Sequence, residues 1–236
     1  MQSSGTKPLV DVDRPQPSLR PSGVSPGEVG ILRSTLLPSF ALHSSLSIAS
    51  YVASRISDTG EVKDWFWPSS QVINAWWSAV GQRMCHDNVS FTRTLEDMPW
   101  IEKLILSGVT IWGGRLFYRI SSRTMARGKD DPRYTEAKRK NPNFWNSALV
   151  KQYLPESVFL TFITLPFTLP FRMERSTIDV EPKCSALLRA LGVGIFTAGL
   201  TMEVLADAQL EKHRKKQKDL CRTGVWSIVR HPKYVA

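Results

Sequence analysis

The stretch SALLRALGVGIFTAGLTMEVLA, residues 185–206, carries one arginine near its start and one glutamate near its end, with apolar or small residues between them. About 20 mainly apolar residues are needed for a helix to cross ~30 Å of hydrocarbon, and this stretch meets that measure. Residues 154–171 (LPESVFLTFITLPFTLPF) meet it as well, with Glu156 as their single charge. Residues 101–120 (IEKLILSGVTIWGGRLFYRI) follow, mainly apolar, with Arg115 and Arg119 in the last turns. Two weaker stretches precede these. Residues 65–81 (WFWPSSQVINAWWSAVG) hold two tryptophans at each end, and residues 30–52 are rich in Leu, Ile, Ala and Ser but interrupted by Arg33, Pro38 and His43. None of the five reads as having the polar stripe at 3.6 spacing that a soluble amphipathic helix carries. Gly, Thr and end-placed Trp suit helix packing and interfacial belts in membranes. The expected fold is therefore all-α, a multi-pass membrane helix bundle of about five transmembrane helices. Five core helices of a soluble bundle are the competing arrangement.

The whole-chain averages are consistent with this once they are divided up. The 236 residues include 31 Lys+Arg and 21 Asp+Glu, a formal charge of +10. A mean hydropathy of -0.19 mixes apolar spans with polar connections. Residues 1–28 concentrate Pro and Ser without an apolar run and are expected to form a disordered lead-in. They lack the charged start, apolar core and cleavage site of a secretory signal. Residues 29–100 then make an N-terminal set of membrane helices and 101–236 a C-terminal membrane domain. Cys85, Cys184 and Cys221 are widely spaced and form no C-x-x-C pair, so neither a disulfide scaffold nor a cysteine metal site is expected.

Charge placement gives a separate test. One basic cluster runs from Arg115 through Arg119, Arg123, Arg127, Lys129, Arg133 and Lys138 to Lys140, and another from Lys212 through Arg214, Lys215, Lys216 and Lys218 to Arg222. Two expected spans separate them, which puts both on one side, as the positive-inside rule requires of cytoplasmic connections. Neither cluster has interleaved aromatics or a helix-turn-helix or zinc-finger context, so the expected partner is the lipid bilayer and not nucleic acid.

The residues best suited to chemistry lie between Glu203 and Tyr234. Glu203 and Asp207 fall one helical turn apart, with Leu210 and Arg214 on the same stripe. Carboxylates at the end of an apolar helix mark either a functional site or a solvated helix end paired with nearby Lys and Arg. Gly224-Val225-Trp226 follows, then Arg230-His231-Pro232-Lys233-Tyr234. That last run offers a guanidinium for phosphate, and an imidazole and a phenol able to donate to an amide, a ribose or an oxyanion.

These blocks resemble the steroid 5-alpha-reductase-like family in its DUF1295 branch. The family pattern is an A-D-x-Q helix end followed by G-L-W-x-x-x-R-H-P-N-Y-x-G-E; the chain has A-D-A-Q (206–209), G-V-W (224–226) and R-H-P-K-Y (230–234). W-G-G-R-L (112–116), D-D-P-R-Y (130–134) and N-F-W (143–145) match upstream, so the resemblance covers roughly residues 100–236. It implies an endoplasmic-reticulum membrane protein that binds NADPH and reduces a C=C bond in an apolar, lipid-like substrate such as a steroid or enone. It further implies cofactor contacts from Glu203 and Asp207, phosphate contacts from Arg214 and Arg222, and a second wall made of Arg230, His231 and Tyr234. The family's catalytic Glu and Tyr come from its N-terminal half; Tyr118, Tyr134 and Tyr153 are available here, but no motif selects one. Lys233 stands where the family has Asn, and the pattern runs on with Gly-Glu and another membrane helix, which implies a domain incomplete at its C-terminus. R-H-P-x-Y also occurs in membrane methyltransferases that use S-adenosylmethionine, and a non-catalytic membrane protein is the third alternative.

Overall fold

The computed structural model describes residues 32–172, 182–216 and 220–228, so the expected disordered lead and the run from Arg230 to Tyr234 lie outside the described residues. Among the described residues the chain is helical throughout, with no strand. It divides into two compact units, residues 1–174 and 175–236.

The first unit is a bundle of four long helices. α1 (Leu37–Ser57) continues directly from a π-helical turn at Leu32–Leu36 and has Pro38 in its first turn. Asp58, at φ 49° in the left-handed region, ends it. A short turn leads into α2 (Val62–Trp76), which continues through a wider π-helical turn at Trp77–Gly81 into α3 (Gln82–His86). The short α4 (Phe91–Glu96) is capped by Ser90, whose hydroxyl accepts from the Arg93 N–H. Next, α5 (Trp100–Arg127) runs back along α2 and stops at Gly128, φ 64°. The connection that follows holds α6 (Pro132–Lys140), capped by Asp131. The fourth rod is made of α7 (Phe144–Ala148), a π-helical turn and α8 (Leu154–Thr168), and it packs on α1 and α2.

The polarity of this bundle is inverted. Ser39, His43, Ser47, Ser50 and Ser54 form the buried face of α1, while Phe40, Ile48, Val52 and Ile56 point outward. On α8, Ser157, Thr161, Thr164 and Thr168 are buried, and Phe159, Phe162 and Ile163 are exposed. A soluble bundle would reverse this arrangement, because burying alcohols and exposing aromatics in water loses on both counts. In lipid the outer face is in its preferred solvent and the small polar residues allow close helix packing. Helices of sufficient length and apolarity cover Leu32–Ser57, Phe144–Phe171 and Ala186–Lys215. Together with the inverted polarity, these three place the chain in a bilayer. Residues 65–81 and 101–120 fall below that measure, yet they form the α2–α5 pair at the centre of the bundle. One expectation is corrected here. Residues 30–52 do carry a polar stripe at helical spacing, but it faces inward.

Close approach of α2 and α5 depends on one of the paired glycines in W-G-G-R-L. A Cβ on Gly113 would lie 2.4 Å from the Val72 side chain and 3.2 Å from the Pro68 carbonyl oxygen, whereas one on Gly114 would meet nothing within 4 Å. Trp67 and Trp112 rings meet edge to face near this contact, and the Trp76 indole N–H donates to Thr110 Oγ1 at 3.0 Å. Gly113→Val is expected to lower the midpoint of thermal unfolding in detergent, with Gly114→Ala unchanged. Equal effects at the two positions would contradict this packing.

Candidate functional site

Two groups of residues singled out by sequence lie in separate units. In the first unit, D-D-P-R-Y (130–134) grips the α1–α2 turn. Asp130 accepts from the backbone N–H groups of Gly60 and Glu61, at 3.0 and 3.3 Å, so it supplies the helix cap that α2 lacks in its own sequence. Lys138 pairs with Asp130 at 3.0 Å and donates to the Asp58 carbonyl at 2.7 Å. Arg133 and the Tyr134 hydroxyl both donate to the Asp64 carboxylate, at 3.1 and 2.8 Å. Arg127 bridges Glu61, which is fully buried, and Asp131.

The electrostatics match this geometry. Burial first, and then the adjoining Asp64 carboxylate, push the Tyr134 phenol far above the usual range, so it stays a hydrogen-bond donor. Burial alone would raise the Asp131 carboxyl, but the Arg133 amide and guanidinium, with Arg127, hold it below its ordinary value. The Trp145 indole and then Lys138 do the same for Asp58, against the opposing effect of burial. Every carboxylate in D-D-P-R-Y is therefore committed to internal partners, and the block serves to hold helices together. Of the available tyrosines, Tyr134 is used in this way, Tyr153 is buried and Tyr118 is exposed.

The second unit is built on α9 (Pro182–Lys216), 35 residues long. At 1.5 Å per residue that is about 50 Å, well beyond the hydrocarbon thickness. Its last turns carry the charged residues Glu203, Asp207, Glu211 and Arg214. Asp207 is buried, at 5% exposure, Glu203 is half-buried, and Arg214 and Arg222 are exposed. After α9 the chain returns against the helix through α10 (Val225–Ile228). Two hydrogen bonds hold it there. The Val225 N–H donates to Gln209 Oε1 at 3.0 Å, and the Trp226 indole N–H donates to the Ala206 carbonyl at 3.0 Å. A-D-A-Q and G-V-W, fifteen or more residues apart in sequence, thus form one clasp with Asp207 within it.

Gly224 makes the clasp possible. Its φ of 64° lies in the left-handed region, and a Cβ there would sit 2.5 Å from the Gln209 carboxamide. Both restrictions select glycine. Beside the clasp runs an apolar groove lined by Gly194, Thr197, Ala198, Thr201, Leu205 and Val225. The Thr197 and Thr201 hydroxyls are turned back onto the carbonyls four residues earlier, at 2.8 and 2.7 Å. The structure brings Glu203 and Asp207 together on the helix end, as spacing required. Arg230, His231 and Tyr234 lie outside the described residues. Gln209 and Trp226 were not singled out individually, although both stand inside the quoted blocks.

Could this donor set hold a dinucleotide? A buried carboxylate suits ribose hydroxyls, exposed guanidiniums suit phosphates, and a glycine turn permits close backbone approach. The described residues fit such a ligand. No group of three or more His, Cys, Asp or Glu able to hold a metal ion occurs among the described residues.

A family model described as "Protein of unknown function (DUF1295)" matches residues 50–236. No curated protein and no solved structure matches the chain.

Proposed function

The chain belongs to the DUF1295 family, and from that premise we propose that it is an NADPH-dependent reductase of the endoplasmic reticulum membrane acting on a C=C bond in a lipid-like substrate, a steroid or a long-chain enone. The clasp between A-D-A-Q and G-V-W carries this reading. It sets a buried carboxylate, Asp207, at the end of a membrane helix and beside an apolar groove. The resemblance to steroid 5-alpha-reductase-like proteins supplies the cofactor, because the clasp is formed from two of the blocks on which that resemblance rests.

Asp207 and Glu203 would accept hydrogen bonds from the ribose hydroxyls, and Arg214 and Arg222 would bind the phosphates. Arg230, His231 and Tyr234 would supply the opposite wall, as the resemblance implies. When bound, NADPH supplies a hydride to the substrate's double bond. The groove along α9 would hold the apolar body of the substrate and exclude water from it.

The test is an NADPH fluorescence titration of the purified chain in detergent. Binding is expected for the unaltered protein, with at least a tenfold loss of affinity, about 1.4 kcal/mol, in Asp207→Ala. No binding of NADPH would overturn the proposal. Binding of S-adenosylmethionine without NADPH would replace it with a methyltransferase, and binding of neither would favour a non-catalytic membrane protein.

A further inference from the structure

The groove beside the clasp is graded along its length. Its lining runs from Gly194 to Leu205 at helical spacing on one face of α9, and Val225 closes the end next to the clasp. Eleven residues at a rise of 1.5 Å make about 16 Å, roughly half of the ~30 Å hydrocarbon of a bilayer. The cavity measures about 660 Å³, within the ~300–1,000 Å³ usual for small-molecule pockets.

Polarity and side-chain size change together along it. Asp207, which is buried, and the bond from Val225 to Gln209 stand at the clasp end. Away from the clasp the polar groups of the lining are the Thr197 and Thr201 hydroxyls, whose protons are committed to the Val193 and Thr197 carbonyls. A polar group on a ligand therefore finds its partners at the clasp, and the rest of the groove suits an apolar body. The lining side chains also shrink with distance from the clasp, from Leu205 and Met202 to Ala198 and Gly194.

Gly194, at the far end, is not held to glycine by its backbone or by packing among the described residues. Its φ is outside the left-handed region that Gly224 occupies. A Cβ on Gly194 would meet nothing within 4 Å, whereas one on Gly113 strikes Val72. A larger side chain at 194 is therefore free to enter the groove, and the glycine is what keeps that end open. Gly192 supplies the contrast. A Cβ there also meets nothing within 4 Å. At 3.6 residues per turn, however, Gly192 lies about 200° around α9 from Gly194, and it does not line the groove.

We propose that Gly194 sets the length of the apolar body that the groove accepts. The ligand's polar end lies at the clasp, and its apolar end lies about 16 Å away, against Gly194 and Ala198. The proposal rests on the reading in which this groove holds the substrate. A leucine at 194 shortens the groove to the part between Thr197 and Val225.

Photolabelling of the full chain in phosphatidylcholine nanodiscs tests it. The probes are two straight-chain enones with a diazirine at the apolar end, one as long as the groove and one half as long. Label that excess diazirine-free enone competes away is located by mass spectrometry. It is expected around Gly194 for the longer probe and around Thr201 for the shorter. Gly194→Leu is expected to lower labelling by the longer probe at least tenfold relative to the shorter, and Gly192→Leu to leave that ratio unchanged. Longer-probe label at the clasp, no fall in Gly194→Leu, an equal fall in both variants, or no competable label at all would each overturn the proposal. The labelling needs no NADPH. A failed labelling pattern beside a positive NADPH titration sinks this inference alone, and the reverse result sinks the cofactor while Gly194 keeps its role.

Discussion

Gly224→Val is expected to lose NADPH affinity by more than tenfold while the chain still inserts and folds. The reason is local. At φ 64° a non-glycine residue costs roughly 1–2 kcal/mol, and a β-branched one is at the upper end. The added Cβ also arrives 2.5 Å from the Gln209 carboxamide, so Gln209 must turn away and release the Val225 N–H. That removes a hydrogen bond of about 1 kcal/mol net. With the Gln209 bond gone, the Trp226 indole no longer has a fixed place beside the Ala206 carbonyl, and the wall next to Asp207 loses its geometry. Two readouts separate the steps. Amide hydrogen exchange at Val225 reports the clasp itself, and the NADPH titration reports the site. Gln209→Ala, which deletes the acceptor of the Val225 N–H and leaves Gly224 in place, is expected to expose the Val225 amide to a similar degree. If Gly224→Val exposes the Val225 amide yet binds NADPH as the unaltered chain does, the cofactor reading is wrong although the clasp is real. If the amide stays protected, the clasp itself is wrong.

How much of this could be read in the sequence varies from helix to helix. The apolar stretch in α9 was plain because almost nothing interrupts it. The early part of α1 was harder, since serines and a histidine dilute its hydropathy. They are tolerated because they face inward, where side-chain alcohols can bond to other polar groups or to carbonyls of the preceding turn. For the α2–α3 rod and α5 the obstacle was charge. Arg83, in α3, and Glu102, in α5, each depress the hydropathy of their surroundings, but in the bundle they form a buried pair at 3.2 Å, a partnership that no single-segment window registers. The site shows the same division. A-D-A-Q and G-V-W were legible as blocks, and helical spacing alone placed Glu203 under Asp207. The bond from Val225 to Gln209 was not legible, because it joins residues 16 positions apart whose meeting no local pattern specifies. D-D-P-R-Y was read as part of a family match, and only the structure shows that its partners are Gly60, Glu61 and Asp64, about 70 residues earlier.

Removing the Arg127 guanidinium is expected to be the most destabilising single change in the first unit. Glu61 is fully buried at the start of α2, and Arg127, at the end of α5, is the cation that pairs with it. Taking one member from a buried ion pair leaves the other charge uncompensated, at a cost of about 3–5 kcal/mol. Arg127 also holds Asp131, the cap of α6, at 3.3 Å, so the loss extends to the connection that grips the α1–α2 turn. For Arg127→Met, a fall of roughly 10 °C in the unfolding midpoint follows if each kcal/mol shifts a unit of this size by about 2–4 °C. Surface pairs in the same unit give the contrast. Arg139 and Glu136 are exposed, and Arg139→Met is expected to change the midpoint little, because such pairs contribute about 0–1 kcal/mol. A second substitution tests the cause. Arg127→Met with Glu61→Gln removes the stranded charge and is expected to recover a substantial part of the loss, since a neutral amide costs far less to bury than a carboxylate. If the double variant is no more stable than Arg127→Met, packing of the long arginine stem and not charge compensation is what α2 and α5 require at this end.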